Sequence, residues 1–322
     1  MKNILIFKTD RIGDLVNISP VLYNLNKNFP KSKISLVCSK YNSSLTKYYS
    51  FLNKIFIYEK PLIFFLLKNY KFFFLKRYDL ILQLDGKNHS YLSTFFIRSK
   101  KKVGVKFIKN KKFFGLSFSI SRPNYFISIF FNFLQKCIED YNVKENKSYH
   151  YLSLYFKILE NLNINIFSKD HFLPFNTKNY DLYDLPDSYY HFHIDERWSF
   201  FDENVYINLE KKIENLSKFD DIVISCNLNG NNFFNRLYVK FKSTNKIHFK
   251  NDTSVDGLIY IIFRSHTVIS SHTGFIVHVA ASFKKKIIDI VPSKKFNELD
   301  RWIPFNSNYL RLDLNNFLNV KF

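Results

Sequence analysis

The chain lacks any uncharged apolar run near the roughly 18 residues that a membrane-spanning helix needs. Its richest stretch, residues 61–75, is interrupted by Lys68 and Lys71. The first apolar run, Ile4 to Phe7, is already a good strand and too short for a secretory signal, so none is expected. Cysteine is scarce: Cys38, Cys137 and Cys226 have neither metal-ligand nor redox spacing. That pattern fits buried thiols in a reducing compartment and a cytoplasmic protein. There is no P-loop, no G-x-G-x-x-G, no Ser-His-Asp or Cys-His signature and no cluster of His and Cys, so neither a metal nor a cofactor is expected. Acids are also short, 27 Asp and Glu against 48 Lys and Arg, for a net charge of +21. Only nine of the positive residues are arginine, and Gly, Ala, Pro and Trp are few beside Phe, Tyr, Asn and Ile. The charge has two readings. It reflects an A/T-rich genome and a solvated basic surface, or it attracts a polyanion or an anionic membrane face. The lysines are spread along the chain, with no zinc spacing, no basic helix joined to heptads and no aromatic RNA-binding signature. A nucleic-acid partner is therefore not expected.

What is present begins at the N-terminus. Ile4 to Phe7 predicts a buried strand, Lys8 to Asp14 a polar turn, and Leu15, Ile18, Leu22, Leu25 and Phe29 fall at helical spacing. This is the opening of a βα unit, and such turns lie where open α/β sheets bind ligands. Further strands are expected at 33–38, 54–58, 78–85 and 102–105, with helices at 42–50, 62–76, 91–97, 127–138 and 151–162. Short strands alternating with helices argue for a parallel sheet covered on both faces. Residues 163–189 are polar and without period. The alternation then restarts, with strands at 190–194, 221–226, 246–249, 267–270 and 286–291 and helices at 204–216, 255–263 and 275–283. Two α/β domains follow, residues 1–165 and 166–322.

Three places carry candidate chemistry. In the first turn, Gly13 permits close backbone approach. Asp14 either caps the helix or acts as a general base. Lys8 and Arg11 hold an anionic group or are simply solvated. In the second domain, Ser271-His272-Thr273-Gly274 joins a strand to a helix. The helix start, with Thr273 and Gly274, reads as a diphosphate cradle that His278 reaches, or as an ordinary βα turn beside a packed histidine. Arg197 follows another strand and either clamps a phosphate or pairs with Glu196 or Asp195. Asp85-Gly86, after the 78–85 strand, is a further crevice-edge candidate or a turn Asp.

Taken in order, these residues resemble glycosyltransferase family 9, the ADP-heptose:lipopolysaccharide heptosyltransferases. The likeness runs from Lys8-Thr9-x-x-Ile12-Gly13-Asp14-Leu15-Val16 with Ser19-Pro20, through Tyr78 to Gly86, Lys101 to Gly104 and His150 to Asn163, to Val268 to Ala281. The resemblance implies a GT-B fold, two Rossmann-like domains with parallel sheets facing a central cleft. It also implies inverting, metal-independent transfer of a heptose or related sugar from an ADP-sugar. The acceptor would be a lipopolysaccharide core or another lipid-linked or surface glycan, met on the inner face of the cytoplasmic membrane. On that pattern Asp14 is the catalytic base, and Lys8, Arg11 and Gly13 lie on the acceptor side. His272, Thr273, Gly274, His278 and Arg197 bind the nucleotide-sugar donor. The chain departs from the pattern where His272 replaces an Asp and the next His is one residue further on. The Lys-x-Trp clamp appears as Asp195-Glu196-Arg197-Trp198, with Arg197 as a shifted counterpart, and no acidic residue for the nucleoside is evident in Asn227 to Asn232. A non-catalytic descendant of a transferase, or a polyanion-binding protein, is the alternative.

Overall fold

A computed structural model describes residues 1–113, 116–122, 138–144, 150–177, 184–201, 203–226, 232–251 and 253–320. The chain divides into two compact units, Met1–Ser168 and Lys169–Phe322.

In the first unit, strands β1 (Asn3–Lys8), β2 (Lys33–Cys38), β3 (Leu52–Ile57), β4 (Tyr78–Gln83) and β5 (Ser99–Phe113) form a sheet in the order β3-β2-β1-β4-β5. These five are parallel. Ile4 to Phe7 is wholly buried, because helices cover both faces of the sheet and every β1 side chain needs an apolar neighbour. Leu5 and Phe7 face a cluster with Val37, Phe56, Phe65, Phe73, Tyr78 and Ile81. β5 runs well past the short strand expected from sequence. It pairs with β6 (Leu116–Arg122) antiparallel and with β7 (Ile138–Lys144) parallel, and neither strand was expected. The helix expected at 127–138 lies outside the described residues, apart from Ile138, which opens β7.

The single helix expected after β1 is two helices, Ile12–Asn17 and Ser19–Asn28. Pro20 is the cause. It has no N–H to continue the first helix, and its ring crowds the preceding turn, so Pro20 sits in the first turn of a new helix and Ile18 leaves helical geometry. The helix expected at 62–76 likewise divides into Leu62–Lys68 and a π-helical turn, Lys71–Leu75.

The second unit is all parallel. Strands β8 (Tyr189–Ile194), β9 (Asp221–Cys226), β10 (Ile247–Asn251), β11 (Thr267–Ser270), β12 (Lys286–Ile290) and β13 (Tyr309–Leu312) follow the order β10-β9-β8-β11-β12-β13. One face packs Phe192, Ile194, Ile224, Ile269 and Ile288 against Leu209 and Ile213 of helix Glu203–Ser217 and Phe233 and Leu237 of helix Asn232–Phe241. The Asn232 helix, β13 and the helix Leu314–Asn319 were not expected from sequence. Cys38 and Cys226 are buried free thiols, and Cys137 lies outside the described residues. Among the described residues no helix is long and apolar enough to cross a membrane.

In each sheet the strand order reverses next to its first strand, between β1 and β4 and between β8 and β11. Open α/β sheets bind ligands at the carboxyl ends of the strands at such switch points. The topology therefore directs attention to four loops, after Lys8, Gln83, Ile194 and Ser270.

Candidate active site

The loops of the first switch point are tied together by Asp85. Its carboxylate is buried and accepts from the Thr9 N–H at 3.0 Å, the Thr9 hydroxyl at 2.6 Å and the Ser90 hydroxyl at 2.7 Å. It also accepts from Gln83 Nε2 at 2.7 Å and the Lys87 N–H at 3.1 Å. Asp85 is thus the turn Asp of the sequence reading, a latch between β1 and β4. Because the Thr9 hydroxyl gives its hydrogen to Asp85, it accepts from His89 Nε2 at 2.8 Å, which fixes that tautomer. Burial lowers the His89 pKa.

Next to the latch lies a charged cluster. Lys8 is buried, and its ammonium donates to Asp10 at 3.0 Å, the Tyr155 hydroxyl at 3.2 Å and the Leu84 carbonyl at 3.3 Å. All three of its donors are engaged inside the domain, so its part in the site is a fixed positive charge. Burial pulls the Lys8 pKa down, but Tyr155, Asp10 and Asp14 outweigh burial and hold it well above its ordinary value. Burial pushes the Tyr155 phenol up to about 12, so at neutral pH it is uncharged and meets Lys8 as a neutral hydroxyl.

Asp14 is half-buried in the first turn of its helix, and Oδ2 accepts the Arg11 N–H at 3.1 Å. It therefore caps the helix, as one sequence reading held. Among the described residues its side chain makes no other hydrogen bond, so Oδ1 is available. Burial raises its pKa, Lys8 opposes that and Asp10 adds to it. A carboxylate raised in this way holds a proton better than a solvated one, as a general base requires. Arg11 is exposed and Gly13 is buried.

The second switch point uses the same latch with its partners exchanged. Here the Asp, Asp195, follows the first strand, and the Thr, Thr273, follows the crossover strand. The Thr273 hydroxyl donates to Asp195 Oδ2, and the Arg197 N–H donates to Oδ1 at 3.0 Å. Burial raises the Asp195 pKa against these donors. Thr273 is the N-cap of helix Gly274–Ser282 but makes no capping bond, because its hydroxyl is directed to Asp195. No side chain among the described residues caps the first-turn N–H groups of Gly274, Phe275 and Ile276. A Cβ built on Gly274 would meet no atom within 4 Å. An uncapped helix start beside open space suits an anion.

The other expected donor-side residues are placed differently. His272 has φ 52°, a left-handed conformation that costs a non-glycine residue about 1–2 kcal/mol. Asp289 on β12 holds it there, accepting the His272 N–H at 2.5 Å and its Nδ1–H at 2.6 Å. Tyr309 donates to the same carboxylate. His278 is buried one turn into the helix, its ring stacked on His171 at 4.8 Å. Arg197 is half-buried, and Trp198 is core, bonded through Nε1 to the His193 carbonyl at 2.9 Å. The structure therefore joins Thr273 and Arg197 at one carboxylate, and directs His272 to Asp289 and His278 to His171. Among the described residues no group of three or more His, Cys, Asp or Glu is placed to hold a metal.

No protein-family model matches the chain, and no curated protein matches its sequence. Solved structures do match. A glycosyl transferase family 9 protein from Veillonella parvula superposes with a TM-score of 0.67 at 15% identity, covering 97% of this chain and 86% of that one. E. coli heptosyltransferase WaaC with ADP gives 0.68 at 14% identity, covering 98% and 97%. E. coli ADP-heptose lps heptosyltransferase II gives 0.65 at 13% identity, covering 97% and 90%. The fold is that of these glycosyltransferases. Two doubly wound domains in one chain are the GT-B pattern, and the match runs through both.

Asp10, His89, Tyr155 and Asp289 were not singled out from sequence. Asp289 had a legible signal, an acid inside the buried strand Lys-Ile-Ile-Asp-Ile. Tyr155 is far in sequence from Lys8, and His89 from Thr9, and only the fold brings each pair together.

Proposed function

We propose that the chain is an inverting, metal-independent glycosyltransferase that takes its donor from an ADP-linked sugar, heptose or a relative of it. The observation that carries the reading is the unlike chemistry of the two switch points. One presents a carboxylate of raised pKa beside a fixed cation, and the other an uncapped helix start with open space at Gly274. Sugar transfer needs both. The acceptor hydroxyl gives its proton to Asp14 as its oxygen attacks the anomeric carbon. The bond from that carbon to the diphosphate breaks, and the departing oxygen gains negative charge. The first-turn N–H groups of the Gly274 helix, with Arg197, stabilise that charge. Fixed donors of this kind commonly account for on the order of 100- to 1000-fold in rate each. Lys8, a fixed positive charge beside Asp14, favours its charged form. The proteins of like fold bind ADP or are described as ADP-heptose transferases, which supports an ADP-linked donor. The acceptor on this reading is a lipid-linked glycan such as a lipopolysaccharide core.

A thermal-shift panel tests the donor. ADP-heptose and ADP should raise the melting temperature above UDP- and GDP-sugars, and mass spectrometry should detect sugar transfer from ADP-heptose to a lipopolysaccharide-core acceptor. No shift with any nucleotide sugar would overturn the reading in favour of a non-catalytic polyanion binder.

A further inference from the structure

Helix Leu62–Lys68 is apolar on both sides but packed on one. Phe65 and Leu66 face the core with Phe56 and Phe73. Ile63, Phe64 and Leu67 lie within one narrow arc of the other side and are 57%, 68% and 54% exposed. Tyr70 and Leu75 on the following turns are exposed too. An apolar helix with one bare side marks an interaction surface. The surrounding charge says what kind. Residues 51–77 contain six Lys and Arg and a single acid, Glu59, and Lys60, Lys68, Lys71 and Arg77 are exposed. Large apolar side chains ringed by lysine match an anionic bilayer, where the rings enter the headgroup boundary and the ammonium groups meet lipid phosphate.

This face is joined to the first switch point. Phe65 packs edge-on to Tyr58 at 5.3 Å, Tyr58 stacks on His89 at 3.9 Å, and His89 bonds Thr9 in the latch. We infer that the Leu62–Leu75 surface docks the first domain on an anionic lipid bilayer, bringing the Asp14 loop to the level of lipid headgroups. The docking surface stands on its own observations, and only its use for a lipid-linked acceptor rests on the transferase reading.

Vesicle co-sedimentation without any nucleotide sugar tests it. The protein should sediment with vesicles containing phosphatidylglycerol and stay in solution with phosphatidylcholine alone. A Phe64→Ser/Leu67→Ser double variant should lower binding about ten-fold or more, with unchanged circular dichroism and unchanged turnover on a soluble acceptor. A Lys60→Glu/Lys71→Glu variant should weaken binding most at low salt. No binding of the wild type to anionic vesicles, equal binding to neutral ones, or an unaffected double variant would each overturn the inference. So would a wild-type dimer that the double variant makes monomeric without any vesicle binding, which would assign the face to a second copy of the chain. Vesicle binding and turnover are read separately, so either can fail alone.

Discussion

At the first switch point a buried lysine lies among carboxylates, and at the second a helix start stands uncapped. Both are built on one plan. In each domain a Thr hydroxyl beyond one central strand donates to an Asp beyond its neighbour, Thr9 to Asp85 and Thr273 to Asp195. The latch closes the loops in both. What differs is the chemistry beside it. Near Asp85 lie Lys8, Asp10 and Asp14, groups able to hold or take a proton. Near Asp195 lie backbone N–H groups and a glycine with open space, able to hold charge but not to move a proton. The comparison teaches that topology selects the place and the neighbouring residues select the role.

The largest effect should come from Asp14→Asn. Turnover should fall on the order of 100- to 10,000-fold, the usual worth of a general base. Stability should hold or rise. Burial raises the Asp14 pKa, so the folded state disfavours the charged form at neutral pH, and the amide removes that penalty. Asn keeps an oxygen for the Arg11 N–H. In the wild type, activity should fall with decreasing pH as Asp14 takes up a proton, at a pH above the ordinary carboxylate range. Asp85→Asn gives the contrast. It weakens a carboxylate that accepts five hydrogen bonds, so it should lower the melting temperature before it changes the pH profile. Stability lost in both variants, with turnover held in the Asp14 one, would reverse the two roles.

A smaller effect tests the second switch point. A methyl at Gly274 meets nothing within the domain, so Gly274→Ala should stabilise the fold by roughly 0.4–1 kcal/mol through lower chain entropy in the unfolded state. The same methyl enters the space proposed for the diphosphate, and turnover should fall on the order of 100-fold. A higher melting temperature together with a smaller shift on adding ADP is the signature. An ADP shift equal to wild type would show that the open space holds no phosphate. Gly104 shows the opposite constraint. A Cβ there would lie 2.5 Å from the Tyr91 hydroxyl, so that glycine answers to packing.

The central parallel strands β1, β2, β4, β8, β9, β11 and β12 were legible because burial on both faces makes each of them a short apolar run between turns, whereas the parallel β7 and β13 were missed. Asp14 and Thr273-Gly274 were legible because they follow such strands. β6 was missed although Ser117-Phe118-Ser119-Ile120-Ser121 alternates with the period of a strand. The break at Ile18 was hidden because Pro20 is tolerated in a first helical turn and leaves the apolar spacing intact on both sides. The latches and the Asp289 hold on His272 were not legible. Each joins residues 17 or more apart, and sheet order alone sets which ends meet.

The last prediction concerns acid stability, and it separates the domains again. On β8, His191 and His193 point to the same face, and both bond the Ser225 hydroxyl of β9, at 2.7 and 2.8 Å. Burial lowers the His191 pKa well below its ordinary value and that of His193 to about 3. Both are therefore neutral in the folded state across the mild-acid range, whereas the unfolded chain takes up protons below about pH 6.5. The unfolded state then binds more protons, so stability is full above about pH 6.5 and declines as pH falls toward 3, by about 2 kcal/mol at pH 5 for His193, with His191 acting in the same direction. The first domain carries no such buried pair among its described residues. Its His89 is half-buried. Both tryptophans, Trp198 and Trp302, belong to the second domain. Tryptophan fluorescence should therefore report acid unfolding at a higher pH than the loss of total helical signal. A His191→Gln/His193→Gln variant should move that fluorescence transition to lower pH and leave the remaining helical signal in place. Coincident transitions by the two probes, unmoved by the variant, would mean that the carboxylates of the first cluster govern acid unfolding.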